Sequence, residues 1–87
     1  MSGKGERSRR KQIDDKDLAK VMDRIAHNVH ETRLSLKMSQ QILATKAGIA
    51  TTTLSDIELG KAYNIKLSTL VTIARQLKLR NVDELFN

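Results

Sequence analysis

Residues 38–61, MSQQILATKAGIATTTLSDIELGK, hold two short helical patterns separated by one glycine-containing break. Ser39 can cap the first pattern, because its hydroxyl accepts from the free backbone N–H groups of an opening turn. Ile42, Leu43 and Ala47 recur at helical spacing, and Gly48 supplies the left-handed residue that ends a helix tightly. After Ile49 a second pattern begins, with Leu54 and Ile57 facing inward and Gly60 closing it. Two helices joined by so short a turn cross steeply, which is the geometry of a helix-turn-helix over about residues 39–59. The second helix, residues 50–59, carries Thr51, Thr52, Thr53, Ser55 and Asp56 outward, and these short polar side chains let a helix sit close to base edges.

The same stretch resembles the lambda-repressor-like (Cro-like, or XRE-type) helix-turn-helix family. The resemblance rests on Ser39-Gln40, Leu43-Ala44, Ala47-Gly48-Ile49 and Ile57-Glu58-Leu59-Gly60-Lys61. Downstream, LSTLVTIARQLKLRNVDELF is similar to the family's fourth and fifth helices, closing Asp-Glu-Leu-Phe included. From about Ile25 to Phe86 the resemblance covers roughly three quarters of the chain. It implies an all-α, compact five-helix DNA-binding domain. It also implies that Gln40 contacts a phosphate beside the recognition helix, that Thr51 and Thr52 face base edges, and that Arg33 and Glu58 form a structural salt bridge. Two positions depart from the family pattern: Lys37 stands where a glycine is common, and Ala50 where a Ser or Thr cap is usual.

Upstream, Asp14, Asp15 and Asp17 place negative charge where a helix N-terminus favours it. Leu18, Val21, Met22, Ile25, Val29 and Leu36 follow a helical stripe, so the spacing predicts a first helix from about Asp15 to Leu36. Its early turns, Leu18 to Met22, either form an extra helix or lie on a partner. Past the polar loop 61–66, Leu67, Leu70, Val71, Ile73, Ala74 and Leu77 make the apolar side of a fourth helix, and a short fifth spans Val82 to Phe86. Leu79, Val82, Leu85 and Phe86 read as partly outward; in the family such a surface often serves dimerisation, the simpler reading being that they close the core.

The 87 residues suit one small domain with a modest core. The absence of cysteine excludes a disulfide framework and a zinc finger. No apolar run approaches the ~18–20 residues of a membrane span, and the basic leading residues lack a secretory signal's apolar segment. The net charge of +6 is uneven: residues 1–12 hold five basic residues against one acidic, the remainder 11 against 9. Residues 1–12 therefore read as a disordered basic arm and residues 13–87 as the folded domain. Arg7, Arg9 and Arg10 are candidates for phosphate or minor-groove contact, the plainer reading being a solubilising tail.

A Thr makes one hydrogen bond to a base edge and packs its methyl on a thymine methyl, but gives no bidentate contact. Asp56 can accept from a cytosine amino group while repelling phosphates, so discrimination leans also on apolar contact and DNA shape. Thr51 or Thr53 acting merely as a helix cap is the competing reading. Lys61 and Lys66 flank the following loop, where each meets the DNA backbone or solvent. Asp23, His27 and Glu31 share a helix face but lack a fourth ligand, with His30 nearby, so no metal site is expected and no cofactor. No nucleophile pattern and no glycine-rich phosphate loop points to an enzyme.

The expectation is a double-stranded DNA-binding transcriptional regulator, most simply a homodimeric repressor or controller, cytoplasmic and nucleoid-associated, with no small-molecule ligand and no membrane contact. The alternatives are an antitoxin-like module that restrains a protein partner while autorepressing, and a protein-interaction domain reusing the fold.

Overall fold

The structure, a computed structural model, describes the backbone of residues 2–87 and the side chains of residues 16–87. Four α-helices follow one another: α1 (Ser2–Ser35), α2 (Gln40–Ala47), α3 (Thr51–Glu58) and α4 (Leu67–Gln76), with a closing 3₁₀ turn at Val82–Leu85. No strand occurs among the described residues. The fifth helix expected from sequence is therefore this shorter turn. The first helix begins at Ser2 rather than Asp15. The arm expected over residues 1–12 falls where the side chains lie outside the described residues.

All four helices stop in the same way. Lys37, Gly48, Gly60 and Lys78 have φ of 58, 71, 74 and 63°. Each left-handed residue reverses the chain so that the next N–H reaches back five residues: Met38 to Arg33 (3.1 Å), Ile49 to Ala44 (3.0 Å), Lys61 to Asp56 (2.9 Å) and Leu79 to Ala74 (3.0 Å). The preceding N–H closes the inner bond, as in Lys37 to Leu34 at 2.9 Å. This arrangement satisfies orphan carbonyls and folds the following side chain under the helix. Met38, Ile49 and Leu79 accordingly pack against the core as half-buried apolar groups. At the end of α3 the equivalent residue is the exposed Lys61. Lys37 thus adopts the glycine-like conformation, and Lys78 does so too, without any glycine to announce it.

The core is built from Met22, Ile25 and Val29 of α1, Leu43 and Ala44 of α2, Leu54 and Ile57 of α3, and Leu70, Ile73 and Ala74 of α4, with Leu77 and Leu85 closing it. Fully burying one such side chain stabilises by roughly 1.5–3 kcal/mol, so α3, only eight residues long, is held by packing rather than by propensity. Helix α1 lies against α3 and the C-terminal turn, and α4 against α2. Asn28 ties α1 to that turn, its amide donating to the carbonyl of Leu85 at 2.9 Å. Asn81 caps the turn by accepting from the N–H of Asp83 at 3.1 Å, while Glu84 reaches back to the N–H of Arg80 at 2.8 Å.

Leu85 corrects one expectation. It is fully buried, so it belongs to the core and cannot face a partner, whereas Leu79, Val82 and Phe86 are half-buried. Val21, Ile42 and Leu67, placed in apolar stripes by their spacing, are exposed, Leu67 to 61%. Helices of this length bury a stripe narrower than their apolar residues supply, and positions at its margin face out.

A Lys at φ 58° carries a Cβ clash that glycine lacks, worth about 1 kcal/mol. Lys37→Gly is therefore expected to raise the thermal midpoint by several degrees, about 4–8 °C per kcal/mol for a domain of this size. Thermal unfolding followed by circular dichroism checks this; an unchanged or lower midpoint would show that the unfolded-state entropy of glycine cancels the relief.

Candidate nucleic-acid interface

The two helices of the motif begin differently. Ser39 caps α2, its hydroxyl accepting from the N–H of Ile42 at 3.0 Å. Helix α3 begins at Ala50, whose methyl offers no cap, and no side chain substitutes for one. Neither Thr51 nor Thr53 takes that role. Because Leu54 and Ile57 turn inward, Thr51, Thr52 and Asp56 are left exposed, with Thr53 and Ser55 partly so. The outer face of α3 is thus a row of short hydrogen-bonding groups with no large side chain to hold it away from a surface.

At the other end of α3 the Glu58 side chain is 4% exposed and receives four donors. Arg33 of α1 approaches in bidentate fashion, with Nε donating to Oε2 at 2.7 Å and Nη2 to Oε1 at 3.0 Å. His30 places Nδ1 2.9 Å from Oε1. A carboxylate only accepts, so His30 carries its hydrogen on Nδ1, and the 3.3 Å approach of Arg33 Nη2 to that nitrogen is a contact rather than a bond. Gln40 of α2 completes the set, its Nε2 donating to Oε1 at 3.1 Å. Arg33 also donates from Nη1 to the carbonyl of Met38 at 2.8 Å, securing the turn between α1 and α2. Burial pushes the Glu58 carboxyl upward, but the hydrogen bonds from Arg33, His30 and Gln40 and the Arg33 charge outweigh it and hold the group below its ordinary value. The hydrogen bond to Glu58 raises Arg33 against the opposing effect of its burial, so it stays charged.

Gln40 therefore does something its sequence context did not announce: it commits an amide hydrogen to Glu58. His30, weighed in the sequence only beside a possible metal-ligand set, also bonds Glu58, and a signal for this exists, since His30 and Arg33 are three apart and share a helix face. Asn28 gave no comparable signal, because its partners are backbone carbonyls 56 and 57 residues away. Asp23 lies beside Gly60, where an added Cβ would fall 3.0 Å from its Oδ1. Gly60 is favoured by its positive φ, and an added Cβ would also crowd the exposed Asp23 carboxylate.

Beyond α3, Thr53, Asp56, Lys61, Tyr63, Asn64 and Lys66 border an open groove of about 490 Å³. Lys61, Lys66 and Tyr63 are exposed there. Arg7, Arg9 and Arg10 lie outside the residues whose side chains are described. Leu79 and Val82 border a separate 320 Å³ groove with Val71, Arg75 and Arg80. Among the described residues, no three His, Asp or Glu side chains converge as metal ligands would, and no helix there is long and apolar enough to cross a membrane.

A helix-turn-helix family model matches residues 29–85, well over half of the chain. The chain belongs to the helix-turn-helix family of lambda-repressor-like (XRE) type. Comparison with curated proteins and with solved structures gives no match. Membership makes the chain a DNA-binding transcriptional regulator with double-stranded DNA as its partner, in a family of regulators rather than enzymes.

Removing one partner of a buried ion pair leaves an uncompensated charge, a loss of about 3–5 kcal/mol. Glu58→Ala is expected to destabilise by about 3 kcal/mol in denaturant unfolding, with a smaller loss of base preference as α3 loses the bonds that fix its angle. The low folded pKa adds a pH signature. Its stabilisation is complete above the ordinary glutamate value of 4.5 and is lost as pH falls through the folded value below it. The stability gap between wild type and Glu58→Gln should therefore stay constant above that pH and shrink beneath it; a gap insensitive to acid would contradict the assignment. Ala50→Ser supplies the missing cap of α3 and is expected to raise stability by about 1 kcal/mol in the same assay.

Proposed function

We propose that the protein is a sequence-specific regulator that binds double-stranded DNA as a homodimer, reads the major groove with α3, and represses or controls the promoter it occupies. The observation that carries this reading is the outer face of α3. Thr51, Thr52 and Asp56 stand exposed on a helix fixed by Glu58 to both α1 and α2. A reader needs short polar groups on a helix whose angle does not drift, and both conditions are met.

Affinity on this reading comes chiefly from cations. Lys61 and Lys66 border the groove beside α3, and Arg7, Arg9 and Arg10 supply a basic leading segment that meets neighbouring phosphates. Gln40, at the start of α2, reaches a phosphate with the part of its amide that Glu58 leaves free. A homodimer through Leu79, Val82 and Phe86, half-buried and apolar, brings two α3 helices to successive major-groove faces about one turn (~34 Å) apart.

Selection of binding sites from a random duplex pool tests the reading, with affinity followed against salt. The expected result is a palindrome with half-sites about one turn apart. Thr52→Ala should weaken binding to the selected site about five-fold, one neutral hydrogen bond or about 1 kcal/mol, and leave non-specific binding unchanged. Lys61→Ala and Lys66→Ala should each lower the slope of log affinity against log salt by about 0.9 per phosphate released. In transcription from a promoter overlapping the selected site, added protein should reduce transcript. Binding without an enriched motif would reduce the function to non-specific association, and no binding at low salt would remove it.

A further inference from the structure

We propose that Asp56 fixes one position of each half-site as cytosine, by accepting a hydrogen from that base's major-groove amino group. The inference rests on α3 being the helix that enters the groove and adds the chemical identity of a base it selects.

Asp56 carries the only charge among the outward side chains of α3, whose other outward groups are Thr51, Thr52, Thr53 and Ser55. It is exposed, lies one turn beyond Thr52 on the same face, and makes no ion pair with any described residue. An ionised carboxylate offers acceptors only. In the major groove the donors are the amino groups of cytosine and adenine, while guanine N7 and O6 and thymine O4 present lone pairs that repel it. Adenine carries the N7 acceptor beside its amino group, so the second carboxylate oxygen meets a lone pair there. Cytosine has a C–H edge on that side, and only cytosine leaves both oxygens unopposed.

A carboxylate facing DNA must also tolerate the phosphates, and the surroundings of Asp56 are arranged for that. It shares its groove with the exposed cations Lys61 and Lys66. The Asp56 carbonyl accepts from the N–H of Lys61 at 2.9 Å, fixing the start of the lysine-bearing loop relative to the carboxylate-bearing turn. The repulsion that argues against a lone carboxylate at a phosphate surface is therefore offset locally.

The experiment is site selection with wild type, Asp56→Asn and Asp56→Ala, followed by binding to duplexes altered at one position. Wild type should enrich a cytosine at a fixed place in each half-site. Changing it to thymine should weaken binding about ten-fold. N4-methylcytosine at that place, whose methyl replaces the amino hydrogen in the groove, should do the same, while 5-methylcytosine, which keeps that hydrogen, should not. Asp56→Asn should move the preference to adenine, which Asn contacts at both N6 and N7, and Asp56→Ala should lose preference there alone. An unchanged motif in Asp56→Ala, with equal or higher affinity for every sequence, would overturn the proposal while leaving α3 as the reading helix. Absence of any motif for wild type would overturn both.

Discussion

One carboxylate sets the geometry on which the rest depends. Glu58 is the last residue of α3, and its donors come from α1 (His30 and Arg33) and α2 (Gln40). A helix of eight residues has few contacts with which to define its angle, and packing through Leu54 and Ile57 alone would leave it free to roll about its axis. Directional bonds at one end remove that freedom, because bidentate guanidinium contact is planar and tolerates little rotation. The arrangement adds orientation more than net stability: a buried ion pair contributes little over a well-packed apolar substitute, yet its disruption is costly.

That constraint matters for the outer face of α3, whose exposed groups are all short. Threonines make single hydrogen bonds, worth about 1 kcal/mol each, and such bonds discriminate only if their donors arrive at a fixed place. Longer side chains would compensate for a loose helix by reaching and adjusting, at an entropic cost; threonine and aspartate have few rotamers and cannot. Short readers and a rigid mount therefore belong together. The start of α3 at Ala50 carries no side-chain cap, so the orientation of the helix depends on the bonds at its other end.

Much of this was legible in the sequence, for identifiable reasons. The turn of the motif rests on Gly48 and the capping Ser39, local features whose physics involves only adjacent residues. The pairing of Arg33 with Glu58 became visible only through family resemblance, since nothing local links positions 25 apart. Two features stayed hidden: Asn28, whose partner is the distant Leu85 carbonyl, and the left-handed Lys78, which no glycine marks. Apolar spacing misplaced Ile42 and Leu67, since periodicity says which residues share a face but not how wide a strip the neighbouring helices cover. Leu85 went the other way, read as outward when the Asn28 bond and the capped turn draw it into the core.

The family match begins at residue 29, whereas α1 contributes Met22 and Ile25 to the core before that point. The domain therefore extends past its recognisable signature by at least two helical turns. Those turns are structural rather than accessory: Met22 and Ile25 are almost fully buried, and Asp23 between them abuts Gly60 at the end of α3. Truncation to the matched segment would remove Met22 and Ile25 from the core. In this chain α1 meets the C-terminal end of α3 from its second half, through Arg33 near its close, with Asp23 beside Gly60 about three turns earlier.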